Sequence, residues 1–180
     1  VLEGALRLRG GDSTPLVIMA LGLRKQGKYK EAEMLLINAL NKSPNNLQIL
    51  IRYATLAQDQ LDFNLAEIRW RRILRIGPDN YSALMGIVRC NLKLDKFEDV
   101  EQSLREIVNS TKYEHKISPY IELINVLTNY RKNSDEVISF CLKAIDKAGG
   151  ELAENTNLSH VPFIHLALSL SIIGKGMEAA

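Results

Sequence analysis

Residues 26–46 read QGKYKEAEMLLINALNKSPNN, in which a tight turn leads into one amphipathic helix that ends at Ser-Pro-Asn-Asn. Its aromatic, small and large apolar residues recur twice, each time 34 residues further along the chain. The matched sets are Tyr29, Phe63 and Phe97; Ala32, Ala66 and Val100; Leu36, Trp70 and Leu104; and Ala39, Ile73 and Ile107. A fixed period of this length is typical of a protein built from stacked structural repeats.

The helix that precedes this stretch repeats with it. Its matched positions are Leu16, Leu50 and Leu84, and the small residues Ala20, Ala54 and Val88. Apolar residues at i, i+3, i+4 and i+7 give each helix one face to bury. A pair of helices this short cannot bury that face alone, so neighbouring pairs must cover one another. The sequence therefore predicts an all-α fold of antiparallel helix-turn-helix units.

This pattern resembles the tetratricopeptide repeat, a helix-turn-helix unit of 34 residues. In the first unit the resemblance rests on Ala20, on the turn Gly27-Lys28-Tyr29, and on the helix and exit residues Glu31-Ala32, Ala39 and Pro44-Asn45-Asn46. Two later units depart from it mildly, since Leu61 and Asp95 stand in place of the turn glycine. The resemblance implies a right-handed superhelical solenoid.

The period divides the chain into units of unequal quality. Three units fit without a gap at residues 13–46, 47–80 and 81–114. Residues 115–150 form an irregular fourth unit, in which Val137, Cys141 and Ala144 match the second-helix core only if about three residues are inserted. The predicted remainder comprises residues 1–12, a lead or the remnant of a preceding unit, and residues 151–180, a connection followed by a truncated fifth unit. We expect the chain to be a piece of a longer protein.

Composition sets broad limits on function. The net charge is +2 and charged residues make up 24% of the chain, so bulk electrostatics do not favour a nucleic-acid partner. No apolar run approaches the roughly 20 residues of a membrane span, and the first residues do not read as a signal peptide. The compartment stays open, with the cytoplasm as the expected one.

Residues with catalytic or ligand-binding chemistry are sparse. His115, His160 and His165 are not at metal-ligand spacing, and no nucleophile elbow or phosphate loop is present. Cys90 and Cys141 lie inside helical patterns and read as buried apolar residues. We therefore expect no catalysis, no cofactor and no metal in these residues.

Two charged patterns lie on the second helices. Glu33, Glu67 and Glu101 share one place in the repeat and are interpreted as partners of the helix macrodipole. The stretch RWRRILR places four arginines around Trp70, at residues 69–75. We interpret Trp70 as a core residue and the arginines as solvated or ion-paired side chains, in preference to an anion site.

By resemblance to the family, the first helix of each unit lines a concave groove in which peptides or partner helices dock. The groove positions are Val17, Leu21 and Arg24 in the first unit, Arg52, Thr55 and Asp59 in the second, and Met85, Arg89 and Lys93 in the third. Apolar and basic residues share this surface, so the predicted ligand is an acidic-apolar segment of a protein partner.

Two specialised forms of the groove are excluded by its residues. The carboxylate clamp that binds chaperone tails needs Lys, Asn and Arg where this chain has Val17, Leu21, Arg52, Ser82 and Gly86. The asparagine ladder of the sugar-transferring nuclear enzyme would need Asn at the places of Ile18, Arg52 and Gly86.

Three functional hypotheses follow. The leading one is a non-catalytic protein-interaction scaffold. The second is a regulatory or substrate-positioning arm of a larger enzyme, because AEIRWRRILRIGPDN also resembles repeats attached to bacterial glycosyltransferases that act on polysaccharides. The third is self-association through end units whose apolar faces are left uncovered.

Overall fold

A computed structural model describes residues 13–114, 116–131 and 134–151, and these residues are helical throughout, apart from short turns. They divide between Asp95 and Lys96 into two compact units. The α-helices are α1 (Thr14–Lys25), α2 (Tyr29–Lys42), α3 (Leu47–Asp59), α4 (Phe63–Ile76), α5 (Tyr81–Lys93), α6 (Phe97–Asn109), α7 (Ser118–Val126) and α8 (Ser134–Glu151). The all-α repeat architecture predicted from the period is confirmed for these residues.

The first compact unit contains α1 to α5, and each helix packs against the next one along the chain. Short polar residues begin three of these helices. The Asn46 side chain accepts hydrogen bonds from the backbone N–H groups of Gln48 and Ile49 at 3.0 and 3.3 Å. Asp62 and Asn80 cap α4 and α5 in the same way. Such caps satisfy N–H groups that have no partner inside the helix, which explains why the helices begin where the period resumes.

The turn between the two helices has the same backbone conformation in the first three predicted repeats. Gly27, Leu61 and Asp95 all adopt a positive φ, of 74°, 62° and 56°. This left-handed region is open to glycine without cost, whereas a side chain with a Cβ is strained there. The geometry is therefore set by the turn itself, and the departures from glycine are tolerated rather than required.

The matched apolar positions of the repeat form the core of the first unit. Buried residues include Leu16, Ala20, Ala32, Leu36, Ala39, Leu50, Ala54, Ala66, Trp70 and Ile73. The largest of them, Trp70, is only 2% exposed. Its indole ring lies against the backbone of α5 at Gly86, a position where a β-carbon would fall 2.5 Å from Cδ2 of the ring. The small residue at that point lets α4 and α5 approach closely.

The second compact unit contains α6, α7 and α8, with a 3-10 turn at Thr111–Tyr113 and a π-helical turn at Leu127–Arg131. The buried set includes Val100, Leu104, Ile107, Leu123, Ile124, Val137, Cys141 and Ala144. The Tyr120 hydroxyl donates to the Val108 carbonyl at 3.0 Å. The 3-10 turn lies at the end of the third predicted repeat, and the π-helical turn lies in the irregular fourth unit.

The predicted domain boundaries stay a prediction. Residues 81–114, the third predicted repeat, contribute α5 to the first compact unit and α6 to the second. Some predictions lie outside the described residues, namely those for residues 1–12, for His115, and for residues 152–180 with their two histidines.

Candidate functional site

Three cations of the predicted groove are exposed on the first helices of the repeats. Arg52 lies on α3, and Arg89 and Lys93 lie four residues apart on α5. Residues at that spacing share one face of a helix. Among the residues that the structure describes, none forms a hydrogen bond or an ion pair with these three side chains. They are charged groups whose hydrogen-bonding capacity is open to a ligand.

A fourth groove cation is already paired. The Arg24 guanidinium on α1 donates to both carboxylate oxygens of Asp59 on α3, with Nη2 at 3.2 Å from Oδ1 and Nε on Oδ2. This hydrogen bonding, opposed by burial and reinforced by the charge of Asp59, raises the pKa of Arg24 above its ordinary value. The expectation that Arg24 is available to a ligand carboxylate is therefore wrong. Its guanidinium already binds the carboxylate of Asp59.

The apolar part of the groove lies on α1. Val17 and Leu21 are half-buried there, and Ile18 next to them is 63% exposed. Thr55 on α3 is half-buried too, and its hydroxyl donates to the Ile51 carbonyl at 2.8 Å. The predicted groove did not include Ile18. Its place in the repeat is that of Arg52, which was assigned to the groove, so the alignment could have identified it.

Met85 does not line the surface as predicted. Its side chain is 3% exposed, so it belongs to the packed interior of α5. Its neighbour Gly86 lies against the Trp70 ring. A buried thioether contributes apolar packing instead of a contact for a ligand.

The arginines around Trp70 are mostly held by the protein itself. Arg69 is 8% exposed and donates to the Tyr53 carbonyl at 2.9 Å and to the Glu33 carboxylate, and its guanidinium carbon lies 3.5 Å from the centre of the Tyr53 ring. Arg71 pairs with Glu67 at 2.7 Å, and Arg72 donates to the Pro44 carbonyl at 3.1 Å. The interpretation of ion-paired side chains therefore describes this cluster better than an anion site.

The glutamates at the shared place in the second helices act through the same pairs. Glu33 binds Arg69, Glu67 binds Arg71, and Glu101 binds Arg105 at 2.8 Å. The macrodipole interpretation of these residues is wrong in its emphasis, because each is the fifth residue of its helix and the dipole effect fades beyond the first turn. The direct partner is an arginine, which lies four residues along the same helix for Glu67 and Glu101 and on the next repeat for Glu33.

The part of the chain that the structure describes contains neither a metal site nor a membrane-spanning helix. No group of three His, Cys, Asp or Glu side chains there is arranged to hold a metal ion. No helix there combines the length and apolar character needed to cross a bilayer.

Comparison with known proteins finds similar folds among solved structures. No family model and no curated protein matches the chain. Among solved structures, MamA 41-end from Desulfovibrio magneticus RS-1 matches with a TM-score of 0.65 at 15% identity, covering 92% of this chain and 93% of that one. YrrB, described as a TPR protein with an unusual peptide-binding site, has a TM-score of 0.65 at 14% identity, with coverages of 97% and 84%.

A tetratricopeptide repeat protein from Parabacteroides merdae ATCC 43184 matches with a TM-score of 0.66 at 20% identity, covering 99% of this chain and 66% of that one. At such low identity the structural similarity shows the fold alone. It agrees with the 34-residue period and with the helix-turn-helix units described above. The chain therefore has the fold of the tetratricopeptide repeat proteins, which its sequence pattern had indicated.

Proposed function

We propose that this chain is a non-catalytic protein-interaction module that binds an acidic-apolar peptide segment of a partner across the first helices α1, α3 and α5. The observation that carries the proposal is a set of three exposed cations that have no partner among the described residues, Arg52, Arg89 and Lys93. Arg24 and Asp59 cancel one another, so these three charges give the surface its sign. A ligand with carboxylates would meet them in charge-assisted hydrogen bonds.

The proposed ligand also needs an apolar part. Ile18 is well exposed on α1, and Val17 and Leu21 leave part of their side chains open beside it. The surface thus changes from apolar on α1 to basic on α3 and α5. Adjacent packed helices lie roughly 8 to 10 Å apart. An extended peptide with apolar residues at one end and carboxylates a few residues further on would match that change.

The fold is suited to this use. Solenoids of short helical repeats present one helix of each unit on a common surface, where side chains can vary without disturbing the core. YrrB shows by its description that a protein of this fold has a peptide-binding site. In this chain the residues that hold the repeat together are buried, whereas Arg52, Arg89 and Lys93 contribute little to packing.

The test reverses two groove charges. The probe is a blocked peptide, acetyl-Leu-Leu-Gly-Glu-Asp-Glu-amide, titrated by calorimetry into the wild type and into a double variant with Arg52→Glu and Arg89→Glu. Each lost charge-assisted contact is worth about 1.5 to 3 kcal/mol, so binding should weaken by a factor of ten or more. Neither arginine is a core residue, and the circular dichroism spectrum should not change.

A matched control variant carries the same change of charge elsewhere. Lys42→Glu and Arg75→Glu alter exposed, unpaired cations at the ends of the second helices α2 and α4. This variant should bind the probe nearly as well as the wild type at about 0.15 M salt, where separated surface charges are screened. Equal losses in both double variants, or no loss in the groove variant, would rule out the groove assignment.

A further inference from the structure

A second concave feature lies at the turn end of the first compact unit. A cavity of about 680 Å³ opens between the turn that joins α1 to α2 and the turn that joins α3 to α4. We call it the turn cavity. Its lining includes Gly27, Lys28, Tyr29, Glu31, Asp59 and Leu61. Cavities of this size accommodate small ligands or a few peptide side chains.

Leu61 is the unusual residue of the turn cavity. It adopts a φ of 62° and its side chain is 73% exposed. Gly27 and Asp95 form the same turn in the neighbouring repeats, so the turn does not require leucine. A leucine here carries backbone strain and leaves a large apolar side chain in water. Strain of this kind is found at functional sites more often than elsewhere, which points to Leu61 as a contact for an apolar group.

The charges around the turn cavity favour an anionic group beside that apolar contact. Lys28 and Lys30 are exposed and have no partner among the residues that the structure describes. The cavity's carboxylates are mostly compensated, since Asp59 is held by Arg24 and Glu33 by Arg69. Only Glu31 offsets the two free lysines. The N-terminus of α2 also lies here, and its dipole adds to the positive potential.

We propose that the turn cavity is a second peptide-binding site, which accepts a leucine-sized side chain flanked by carboxylates. Leu61 would pack against the apolar side chain, and Lys28 and Lys30 would contact the carboxylates. The proposal does not depend on the groove, because only Asp59 belongs to both surfaces and its charge is satisfied by Arg24. A partner could occupy one site without the other.

The binding test uses three blocked tripeptides and backbone amide NMR. Acetyl-Asp-Leu-Asp-amide is the positive probe, acetyl-Lys-Leu-Lys-amide reverses its charge, and acetyl-Asp-Ser-Asp-amide removes its apolar side chain. We expect the first probe to shift the amide signals of Gly27 and Leu61 in a saturable way at millimolar concentration. We expect the other two to bind at least ten-fold more weakly. No shift up to 10 mM, or equal binding of the three probes, would overturn the proposal.

Two glycine substitutions separate binding from folding. Leu61→Gly removes the apolar contact and at the same time relieves the left-handed backbone, so its melting temperature should equal or exceed that of the wild type. Its affinity for acetyl-Asp-Leu-Asp-amide should nevertheless fall at least ten-fold. Asp95→Gly makes the same backbone change at the corresponding turn, outside the turn cavity, and should keep the wild-type affinity.

A charge test completes the set. Reversing both lysines, with Lys28→Glu and Lys30→Glu, should exchange the preference of the protein between the acidic and the basic leucine probes. Unchanged binding of the acidic probe by this variant or by Leu61→Gly would refute the site. Sedimentation at the concentrations used for NMR provides the last check. A wild-type dimer that Leu61→Gly dissociates would show that a second copy fills the turn cavity, and would also overturn the proposal.

Discussion

Replacing Gly86 by alanine is expected to destabilise the first compact unit, although the same change usually strengthens a helix. Gly86 lies inside α5 with its bare Cα against the indole ring of Trp70. A β-carbon there would fall 2.5 Å from Cδ2 and 2.8 Å from Nε1 of that ring. Carbon atoms in contact prefer separations of about 3.5 to 4.0 Å. One of the two helices must therefore move by about 1 Å.

The size of the effect follows from two opposing contributions. Alanine in a helix interior is favoured over glycine by about 0.5 to 1 kcal/mol. Overpacking a well-filled core typically costs about 1 to 3 kcal/mol. The flat indole ring is 2% exposed and has little room to retreat, so the upper end of that range applies. The expected net loss is about 2 kcal/mol in the free energy of unfolding.

Urea denaturation measures this loss. Trp70 is the one tryptophan of the chain, so its fluorescence reports on the unit that carries the substitution. The matched control is Gly22→Ala in α1, where a β-carbon would meet no atom of the described residues within 4 Å. That exposed helical position should gain about 0.5 to 1 kcal/mol from the same chemical change. The two substitutions should therefore have opposite signs.

A double variant identifies the contact responsible. Trp70→Leu places at this position the residue type found at the corresponding places of the other two repeats, Leu36 and Leu104. That background has no tryptophan, so its unfolding is followed by far-ultraviolet circular dichroism. Gly86→Ala should there cost at least ~1 kcal/mol less, since the indole ring is gone. A Gly86→Ala protein as stable as the Gly22→Ala control, or an equal cost with and without the indole ring, would refute this account of the α4–α5 contact.

Two further predictions concern buried polar groups. Arg69→Met should lower the free energy of unfolding by about 2 kcal/mol, because the buried guanidinium loses charged hydrogen bonds to Glu33 and to the Tyr53 carbonyl; a loss below about 0.5 kcal/mol in urea denaturation would contradict it. Burial raises the pKa of the Cys141 thiol from 9.0 to about 11. Between these pH values the folded state holds a proton that the unfolded state releases, so the free energy of unfolding should fall as pH rises from about 9 to about 11. Cys141→Ala should show a smaller fall over that interval in denaturation series at pH 8, 9.5 and 10.5, and parallel curves for the two proteins would exclude this linkage.

Much of the fold could be predicted because the repeat is a local pattern. The helical period sets which side chains share a face, and the 34-residue step shows that the faces of successive units must cover one another. Ala20, Ala32, Ala39 and Trp70 were expected in the core on that ground, and all four are buried. The period aligned Leu61 and Asp95 with the turn glycine Gly27, and the structure shows that all three positions adopt a positive φ.

The candidate site was less predictable, because its chemistry depends on pairs that are far apart in sequence. Arg24 and Asp59 are 35 residues apart, and Arg69 and Glu33 are 36 apart. Each pair joins neighbouring repeats, so a period of 34 brings the partners near one another without deciding which charges will meet. Only the packed structure shows that Arg24 is paired and that Arg52 has no partner within the described part of the chain.

The sequence by itself determined the architecture of this protein. Periodic apolar positions, small residues at helix crossings and Asn or Asp caps act within a few residues or at one constant step, so they can be read along the chain. The tertiary structure alone decided which surface residues remain available. Met85 is buried although the repeat pattern assigned it to the groove, and Arg24 is paired because α1 and α3 place Asp59 within its reach. Both outcomes depend on distances between helices, which no single stretch of sequence contains.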